Sequence, residues 1–398
     1  MLLIMLVLYT AMHVVVVALT DLCLRRWQLT ANRARGLRKF WMTPYIPLAL
    51  LAPAGTLLPE SSFKYALQAA GNVFLGFVLY YSVLLALLLL VMWIVRRIRR
   101  GEKGSRRYGA ALCLSLVIAL SVFAYGLVHA QQTRVTSYAL TVDKPVAAGE
   151  EEMTLVLLAD LHLSVNSNPA TTERMVELVN AEHPDLVVVA GDIFTSCYKG
   201  LAHPERYTQA LSGIEAKYGV YGVYGNHDVE EPLLGGFPVA PLSTAFRSPE
   251  MESFCRDSGF VMLEDEAVTL PNGVQLYGRI DRDKAGDGTA NRMDAAALLA
   301  GADLTAPVLL LQHEPTEFQA LAEAGADVAL CGHTHAGQVF PGNLIVPLFN
   351  ENAWGYKKLH GLDTFVTASV GHYGPPMRVG TDSEITVIHL KFAERGDM

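Results

Sequence analysis

The chain has 398 residues and a formal net charge of −8, with 51% hydrophobic and 18% charged residues. Charge is divided unevenly, because residues 1–130 carry 14 Lys/Arg and 3 Asp/Glu whereas the remaining residues carry 17 and 36. Proteins that bind nucleic acids present a basic surface to the phosphate backbone. The acidic second part of the chain therefore argues against a nucleic-acid partner.

Four apolar runs in the basic first part are candidates for membrane spans, because about 20 apolar residues cross the hydrocarbon core of a bilayer. The runs cover about 1–20, 41–58, 73–95 and 108–129. The second run is the weakest, since Pro44, Pro47 and Pro53 interrupt it. We predict a transmembrane region of four helices over residues 1–130, with the lipid bilayer as its partner.

The distribution of basic residues predicts the orientation of these spans. Lys and Arg cluster in residues 25–39 and again in residues 96–107, and basic loops stay on the cytoplasmic side. Four spans place both clusters inside, together with an amino terminus and a second domain outside. A cleaved signal peptide would need its positive charge before the first run. Here the charge follows that run, so we expect an uncleaved anchor in the plasma membrane and an extracytoplasmic second domain.

The second part of the chain has the pattern of an α/β domain. Residues 131–152 predict a linker and an edge strand, and strand and helix patterns alternate from residue 153 to 398. Five polar residues each follow directly after an apolar strand: Asp160, Asp192, Asn226, His313 and His333. Ligand sites of such sheets lie outside the carboxyl ends of the strands. We therefore expect these residues to meet at one edge.

Five short motifs supply carboxylate, imidazole and amide groups but no Cys. They are Asp160-Leu161-His162, Gly191-Asp192, Gly225-Asn226-His227-Asp228, Gln312-His313-Glu314 and Gly332-His333-Thr334-His335. These ligand types suit hard or borderline divalent ions rather than a Cys-rich structural zinc site. The motifs predict two divalent ions, from among Mn, Fe, Zn and Co, with Mn favoured.

The order of these motifs resembles that of the calcineurin-like metallophosphoesterase superfamily, over roughly residues 150–392. The closing stretch from Ala368 to Arg378 looks like the membrane-anchored YkuE/YaeI-like phosphodiesterase branch, which includes lipid-directed pyrophosphatases and phosphodiesterases. The resemblance implies a four-layer αββα sandwich over residues 153–398. It also implies a dinuclear metal site, in which two ions about 3.5–4 Å apart clamp a phosphoryl group and activate the attacking water.

A residue-by-residue match to the family implies the role of each motif. Asp192 would bridge the two ions. Asp160, His162 and His335 would complete the first ion's ligands, and Asn226, His313 and His333 those of the second. His227 would be the catalytic residue that stabilises charge on a phosphoryl oxygen or protonates the leaving group. Asp228 is one candidate to orient His227. Some relatives use an Asp at the position of Thr195 instead, so the orienting partner stays open.

Three residues of the closing loop are candidates for substrate binding, namely Arg378, Tyr373 and His372. An arginine is well suited to a phosphate, because its planar guanidinium offers several donors in a fixed geometry. The alternative for Arg378 is an ion pair with a surface acid.

Together these features predict an integral-membrane, metal-dependent phosphoesterase that hydrolyses phosphodiester or pyrophosphate bonds of a lipid-linked or cell-envelope substrate. The alternative is a membrane sensor or assembly factor whose phosphoesterase fold binds a phosphorylated ligand without catalysis. Degenerate ligand motifs would favour that alternative, and the five motifs are intact. The sequence leaves open the substrate, the preference for monoesters or diesters, the oligomeric state and a disulfide between Cys197 and Cys255.

Overall fold

The computed structural model describes residues 2–27, 29–98, 106–239, 245–287 and 292–394. The chain divides into two compact units. The first contains Met1–Val128, Pro232–Val239 and Gly374–Met377, and the second contains His129–Glu231, Ala240–Tyr373 and Arg378–Met398. Residues 99–105 of the second basic cluster lie outside the described residues.

The first unit is mainly helical. Its described helices are α1 (Leu2–Arg26), α2 (Ala31–Ala49), α3 (Leu51–Leu57), α4 (Ser62–Ile98) and α5 (Arg106–His129). Of the helices described, α1, α4 and α5 are long and apolar enough to cross a membrane by length and composition. The run predicted over 41–58 falls on α2 and α3 instead. α3 has seven residues, and α2 includes four basic side chains in its 19 residues. The fourth span therefore remains a prediction.

Two short segments from the second part of the chain belong to the helical unit. The first forms a small hairpin from β5 (Leu233–Leu234) and β6 (Phe237–Pro238). The Thr56 hydroxyl donates a hydrogen bond to the Leu233 carbonyl over 2.6 Å, and Leu234 packs against Ala52. The second segment is Gly374–Met377. The sequence predicts that both segments belong to the phosphoesterase domain. Their contacts with the helices could not be predicted, because these contacts join residues that are far apart in the chain.

The second unit contains two six-stranded sheets. Six strands form the first sheet: β1 (Thr133–Pro145), β2 (Glu152–Leu158), β3 (Leu186–Ala190), β4 (Val220–Val223), β7 (Phe260–Met262) and β14 (Ser383–Ala393). Their spatial order is β1-β14-β2-β3-β4-β7. The neighbours from β2 to β7 run parallel, whereas β14 is antiparallel to β2 and parallel to β1.

The second sheet has the order β12-β13-β11-β10-β9-β8. Its strands are β8 (Glu266–Thr269), β9 (Gln275–Gly278), β10 (Val308–Leu311), β11 (Val328–Cys331), β12 (Gly355–Leu359) and β13 (Leu362–Val366). The four central strands run parallel, and the edge strands β8 and β12 are antiparallel to their neighbours. The helices of this unit are α6 (Pro169–Ala181), α7 (Pro204–Leu211), α8 (Pro249–Asp257), α9 (Ala295–Leu298), α10 (Phe318–Ala324) and α11 (Gly342–Ile345).

Three apolar clusters hold the layers of this unit together. One lies between the two sheets and includes Leu157, Val188 and Leu311. A second covers the outer face of the first sheet with residues of α6, α7 and α8, and a third covers the outer face of the second sheet with residues of α9 and α10. All five residues of β3 are buried, as expected for a parallel strand covered on both faces. The predicted α/β sandwich, preceded by apolar helices, is confirmed.

Candidate metal centre

The carboxyl ends of five strands bring the predicted ligands together. Two groups of acidic and histidine side chains each have their ligand atoms within 4.8 Å of one another, namely Asp160, His162 and His335, and Asp192, His313 and His333. Asn226 joins the second group, because its Oδ1 lies 3.1 Å from His313 Nε2 and 3.2 Å from His333 Nδ1. The two groups adjoin one another, since His162 Nε2 lies 3.6 Å from Asp192 Oδ2.

Left-handed backbone conformations aim these side chains. The φ angles are +53° at Asp160, +45° at His162, +53° at Asp192, +74° at His333 and +51° at His335. Such values are uncommon for residues other than glycine and often mark functional sites. Backbone hydrogen bonds hold the turns, since Asp160 N–H donates to the Gly191 carbonyl over 2.8 Å and His162 N–H to the Asp192 carbonyl over 3.0 Å.

Gly225 explains why the third motif begins with glycine. A Cβ at this position would lie 2.3 Å from Asp192 Oδ1. Real Cβ atoms do not approach a carboxylate so closely, so a side chain here would displace Asp192. The glycine therefore allows the turn that carries Asn226 and His227 to pass directly beside this carboxylate.

The donor atoms of the first group fit a bound cation. His162 Nε2 and His335 Nε2 lie 3.0 Å apart, and Asp160 Oδ1 lies 3.4 Å from His335 Nε2. Asp160 is fully buried, and its Oδ1 accepts no hydrogen bond from the described residues. A buried carboxylate oxygen needs a hydrogen bond or a cation. Because this oxygen faces two ring nitrogens, a divalent ion held here would satisfy all three atoms.

The second group is also arranged for metal binding. His313 Nδ1 lies 2.8 Å from the Ala190 carbonyl oxygen, which can only accept a hydrogen bond. The proton of a neutral His313 ring must therefore be on Nδ1, which leaves the lone pair of Nε2 directed towards Asn226 and Asp192. A carbonyl that fixes the ring in this way is a common feature of metal-binding histidines. In the first group, the Thr195 hydroxyl contacts His162 Nδ1 over 3.0 Å and orients that ring.

The ionisation states of the candidate ligands depend on one another. Burial would lower the pKa of His313, but the adjacent Asp192 carboxylate outweighs this effect and holds it well above its usual range, so this ring supplies positive charge that a bound cation would replace. Burial raises the pKa of Asp160 to about 7. Burial would also raise the pKa of Asp192, but the neighbouring His313 and His227 outweigh this effect and hold it well below its usual range. Burial lowers the pKa of His162 and of His333 to about 4, so both rings are neutral near pH 7. Neutral imidazoles and carboxylates are the protonation states that bind metal.

His227 lies beside the ligands without belonging to either group. Its ring centroid is 5.4 Å from that of His162, and its backbone N–H donates to Asp192 Oδ1 over 2.7 Å. Burial lowers the pKa of His227 to about 3. The ring partner is Ser196, whose Oγ lies 3.1 Å from His227 Nδ1. Sequence reasoning missed Ser196, although a hydroxyl next to Thr195 is a signal that could have indicated it.

Asp228 has a different set of contacts. One carboxylate oxygen accepts the backbone N–H of Phe194 and the other accepts that of Gly225, each over 2.8 Å. Burial raises the pKa of Asp228 to about 7, and the charge of Asp192 adds to this effect. The carboxylate thus ties together the two loops that carry Asp192 and His227.

The three residues predicted to bind substrate occupy different environments. The ring of Tyr373 lies 4.7 Å from that of His227 and 5.6 Å from that of His162. Arg378 is fully buried, and its guanidinium donates to the carbonyls of Ala368, Ser369, Gly371 and Asp382 over 2.7–2.9 Å. His372 Nε2 lies 3.0 Å from the Ala130 carbonyl. Of the three, Tyr373 is therefore the side chain placed beside His227.

A buried ion pair near His227 was not foreseen from the sequence. Lys284 Nζ lies 2.7 Å from Glu231 Oε2, and their side chains are 3% and 1% exposed. The Glu231 N–H donates to the Ser196 carbonyl over 2.9 Å, and the Lys284 N–H donates to Asp281 Oδ1 over 2.8 Å. The pair thus supports the backbone of Ser196. Its members lie 53 residues apart, and neither stands in a motif that indicates a partner.

Residues 153–337 match the family model described as calcineurin-like phosphoesterase. This chain contains a calcineurin-like metallophosphoesterase domain. It is 30% identical over 295 residues to a Danio rerio protein named "Transmembrane protein with metallophosphoesterase domain", an alignment that covers 70% of this chain. The chain spans 62% of the length of that relative. It is also 28% identical to an "Uncharacterized metallophosphoesterase" of Aquifex aeolicus, with 69% of this chain and 98% of the relative aligned.

A third relative has a more specific name. The "UDP-2,3-diacylglucosamine pyrophosphatase LpxG" of Chlamydia trachomatis is 24% identical over 218 residues, which cover 46% of this chain and 64% of the relative. The matching domain and the two ligand groups support a metal-dependent phosphohydrolase, and the family implies divalent metal ions. The transmembrane relative and the three apolar helices indicate a membrane protein.

Proposed function

We propose that this protein is a dinuclear, metal-dependent phosphoesterase that hydrolyses phosphodiester or pyrophosphate bonds in a lipid-linked or cell-envelope substrate. The observation that carries the proposal is the meeting of two ligand groups beside a neutral histidine that neither group uses. The name of the Chlamydia trachomatis relative supports a lipid-linked pyrophosphate as the substrate.

In this proposal Asp192 would help to hold both ions, because its Oδ2 approaches residues of both groups, at 3.6 Å from His162 Nε2 and 3.1 Å from His313 Nε2. Bound divalent ions, with Mn favoured, would supply Lewis-acid stabilisation of the phosphoryl group and a water nucleophile at neutral pH. Asn226 contributes a neutral ligand. It therefore adds no negative charge where an anionic phosphate must enter.

His227 acts as a hydrogen-bond donor rather than as a full acid. Its pKa of about 3 means that the ring carries one proton at neutral pH. If the Ser196 hydroxyl donates to Nδ1, that proton is on Nε2. The Nε2–H group can then stabilise negative charge that develops on a phosphoryl oxygen in the transition state. Full protonation of a leaving group would require an imidazolium, which burial disfavours.

The remaining predicted residues divide between substrate binding and support. Tyr373 contacts the substrate, because its ring lies beside His227. The Gln338 side chain fixes the backbone of Tyr373 by accepting a hydrogen bond from its N–H over 2.8 Å and donating one to its carbonyl over 2.9 Å. Arg378 and His372 shape the closing loop through backbone carbonyls. Asp228 positions the loop that carries His227.

The decisive assay is hydrolysis of bis-p-nitrophenyl phosphate by the purified full chain, with Mn²⁺ and with a chelator. Metal-dependent turnover that is lost in Asp192→Asn and in His227→Ala would support the proposal. Asp257→Asn is the matched control for the first variant, because the Asp257 side chain is 65% exposed on α8. A fully active Asp192→Asn protein would refute the ligand assignment. A protein that binds metal but hydrolyses neither this ester nor a lipid-linked pyrophosphate would instead be a sensor or assembly factor.

We also propose a multi-pass protein of the plasma membrane with its catalytic domain on the extracytoplasmic side. The support is the position of the basic clusters, which flank apolar runs and mark cytoplasmic loops. The test is the accessibility of a cysteine placed at the carboxyl terminus to a membrane-impermeant reagent added to intact cells. Labelling in intact cells is expected. Labelling only after permeabilisation would place the catalytic domain on the cytoplasmic side.

A further inference from the structure

The second unit carries a concentration of exposed apolar side chains in one stretch of sequence. Among its described residues, eleven large apolar side chains are exposed, and seven of them lie between residues 340 and 356. These seven are Phe340, Leu344, Ile345, Leu348, Phe349, Trp354 and Tyr356. Single exposed apolar residues are ordinary, but a cluster of this kind marks an interaction site.

The most exposed part, which we call the apolar segment, is residues 339–349. Leu344 is 61% exposed, Leu348 is 77% exposed and Phe349 is 80% exposed. The segment folds as α11 followed by a 3-10 turn at Val346–Leu348, and neither element contains a buried residue. Both elements therefore present apolar side chains that the described residues leave exposed.

The composition of the segment fits a lipid phase. The sequence from Ala336 to Asn350 contains no Asp, Glu, Lys, Arg or His. Beyond it stand Trp354 and Tyr356, whose side chains are 50% and 41% exposed. Aromatic residues of these types prefer the boundary between acyl chains and head groups. The exposed Lys357 and Lys358 follow directly. Lys358 Nζ pairs with Asp363 Oδ2 over 3.0 Å, whereas Lys357 Nζ donates to the Glu351 carbonyl, so Lys357 is the basic side chain that can attract anionic lipid head groups beside the apolar surface.

The base of the segment is held firmly to the metal centre. The Phe340 N–H donates to the Val379 carbonyl over 2.8 Å. Gln338, three residues after the ligand His335, makes the two hydrogen bonds to the backbone of Tyr373. These hydrogen bonds connect the apolar segment to the loops that carry His335 and Tyr373.

We propose that the apolar segment inserts its exposed side chains into the interfacial layer of a lipid bilayer, with Trp354 and Tyr356 at head-group depth. A bilayer is the occupant that the chain itself indicates, because three of its helices are apolar and long enough to cross one. The last of these helices ends at His129, and β1 begins at Thr133. The absence of charge over residues 336–350 agrees with a lipid phase. The proposal concerns binding to a membrane and does not depend on catalysis.

The test places a nitroxide label at Leu348→Cys in the full chain, reconstituted into vesicles of phosphatidylcholine and phosphatidylglycerol without added substrate. Cys113 and Cys197 are replaced by Ser to remove the native thiols that are not buried. The readout is the ratio of collision rates with oxygen, which concentrates in the bilayer, and with a water-soluble nickel chelate. Leu304→Cys is the matched control, because Leu304 is 50% exposed in the same unit and lies outside the segment.

Insertion predicts that the label at residue 348 collides more often with oxygen than with nickel, and that the label at residue 304 shows the reverse. Equal nickel access at the two positions would overturn the proposal. Spin–spin broadening in dilute vesicles would also overturn it, because a second copy of the chain would then cover the segment. Since both substitutions replace exposed side chains, a folding failure is not expected. The readout needs no turnover, so it stands apart from the test of the phosphoesterase activity.

Discussion

Replacement of Ser196 by Ala tests whether His227 depends on a hydroxyl rather than on a carboxylate. The Ser196 Oγ lies 3.1 Å from His227 Nδ1, and Ser196 is fully buried. The change removes this contact while the backbone hydrogen bond from Ser196 N–H to the His227 carbonyl, at 2.9 Å, can remain. The loss should therefore be confined to the ring of His227.

The size of the effect follows from burial. His227 is 7% exposed, so its Nδ1 would lose its partner without gaining free access to water. A buried polar group without a partner costs about 1–3 kcal/mol. If the same amount of transition-state stabilisation is lost because the ring is no longer held in its donating tautomer, the rate should fall by about 5- to 150-fold, at about 1.36 kcal/mol for each factor of ten. We expect the fall in kcat rather than in KM, because His227 acts on charge that develops in the transition state.

The assay is a double-mutant cycle with bis-p-nitrophenyl phosphate. If Ser196 acts through His227, Ser196→Ala should have almost no further effect in a His227→Ala background. Thr195→Ala is the matched comparison, because the neighbouring hydroxyl of Thr195 contacts His162, a proposed metal ligand. Activity lost in Thr195→Ala should recover at higher Mn²⁺ concentration, whereas activity lost in Ser196→Ala should not. Additive losses in the cycle, or recovery of Ser196→Ala with metal, would refute the assignment.

Three further predictions concern stability, measured as the midpoint or free energy of unfolding. Lys284→Met leaves the Glu231 carboxylate buried without its partner and should lower the free energy of unfolding by about 3–5 kcal/mol. The double variant Lys284→Met, Glu231→Leu should recover most of this stability. If it recovers none, the loss does not arise from the ion pair. A chelator should lower the unfolding temperature of the wild type, since ions at a hundred times their Kd stabilise the fold by about 2.7 kcal/mol. The chelator should lower the unfolding temperature of Asp192→Asn by less. An equal decrease in the two proteins would contradict metal binding at this centre. Burial lowers the pKa of His372 to about 3, whereas the unfolded residue titrates near its ordinary value of about 6.5. The unfolded state therefore binds more protons below pH 6.5, and stability should fall by up to about 1.4 kcal/mol per pH unit from this residue. His372→Gln should show a shallower fall between pH 6.5 and 5, and an unchanged slope would contradict this origin.

The layers of the second unit could be predicted because local signals agree with them. β3 reads as a run of β-branched residues, and the polar residues Asp160 and His313 each follow directly after a buried strand. Parallel strands place such residues at one edge of the sheet, regardless of the length or conformation of the loops between the strands. The meeting of distant motifs therefore follows from strand direction alone, and the structure places the seven predicted ligands accordingly.

Other features depend on contacts that no local pattern encodes. The pairing of Lys284 with Glu231 joins loops on different sheets, and a sequence gives no reason to match these two charges. Arg378 has the donor geometry that suits a phosphate, but the same five donors also suit a cluster of carbonyls, and only the folded loop selects between them. The helix α2 contains four basic residues as well as the start of the predicted apolar run. The sequence therefore could not show where the helix of this predicted span begins.

The left-handed backbone of the candidate ligands explains why this centre lies at the carboxyl ends of strands from two well-packed sheets. Five ligand residues have left-handed backbone conformations, and each such residue costs about 1–3 kcal/mol. Asp160 and Asp192 follow strands whose last residues, Leu158 and Ala190, are fully buried. The strands therefore fix where each turn begins, and the packing between the sheets offsets the strain. A centre built on mobile loops could not hold two buried carboxylates close together without releasing that strain. The same packing that stabilises the fold thus keeps the ligands in place before any ion binds.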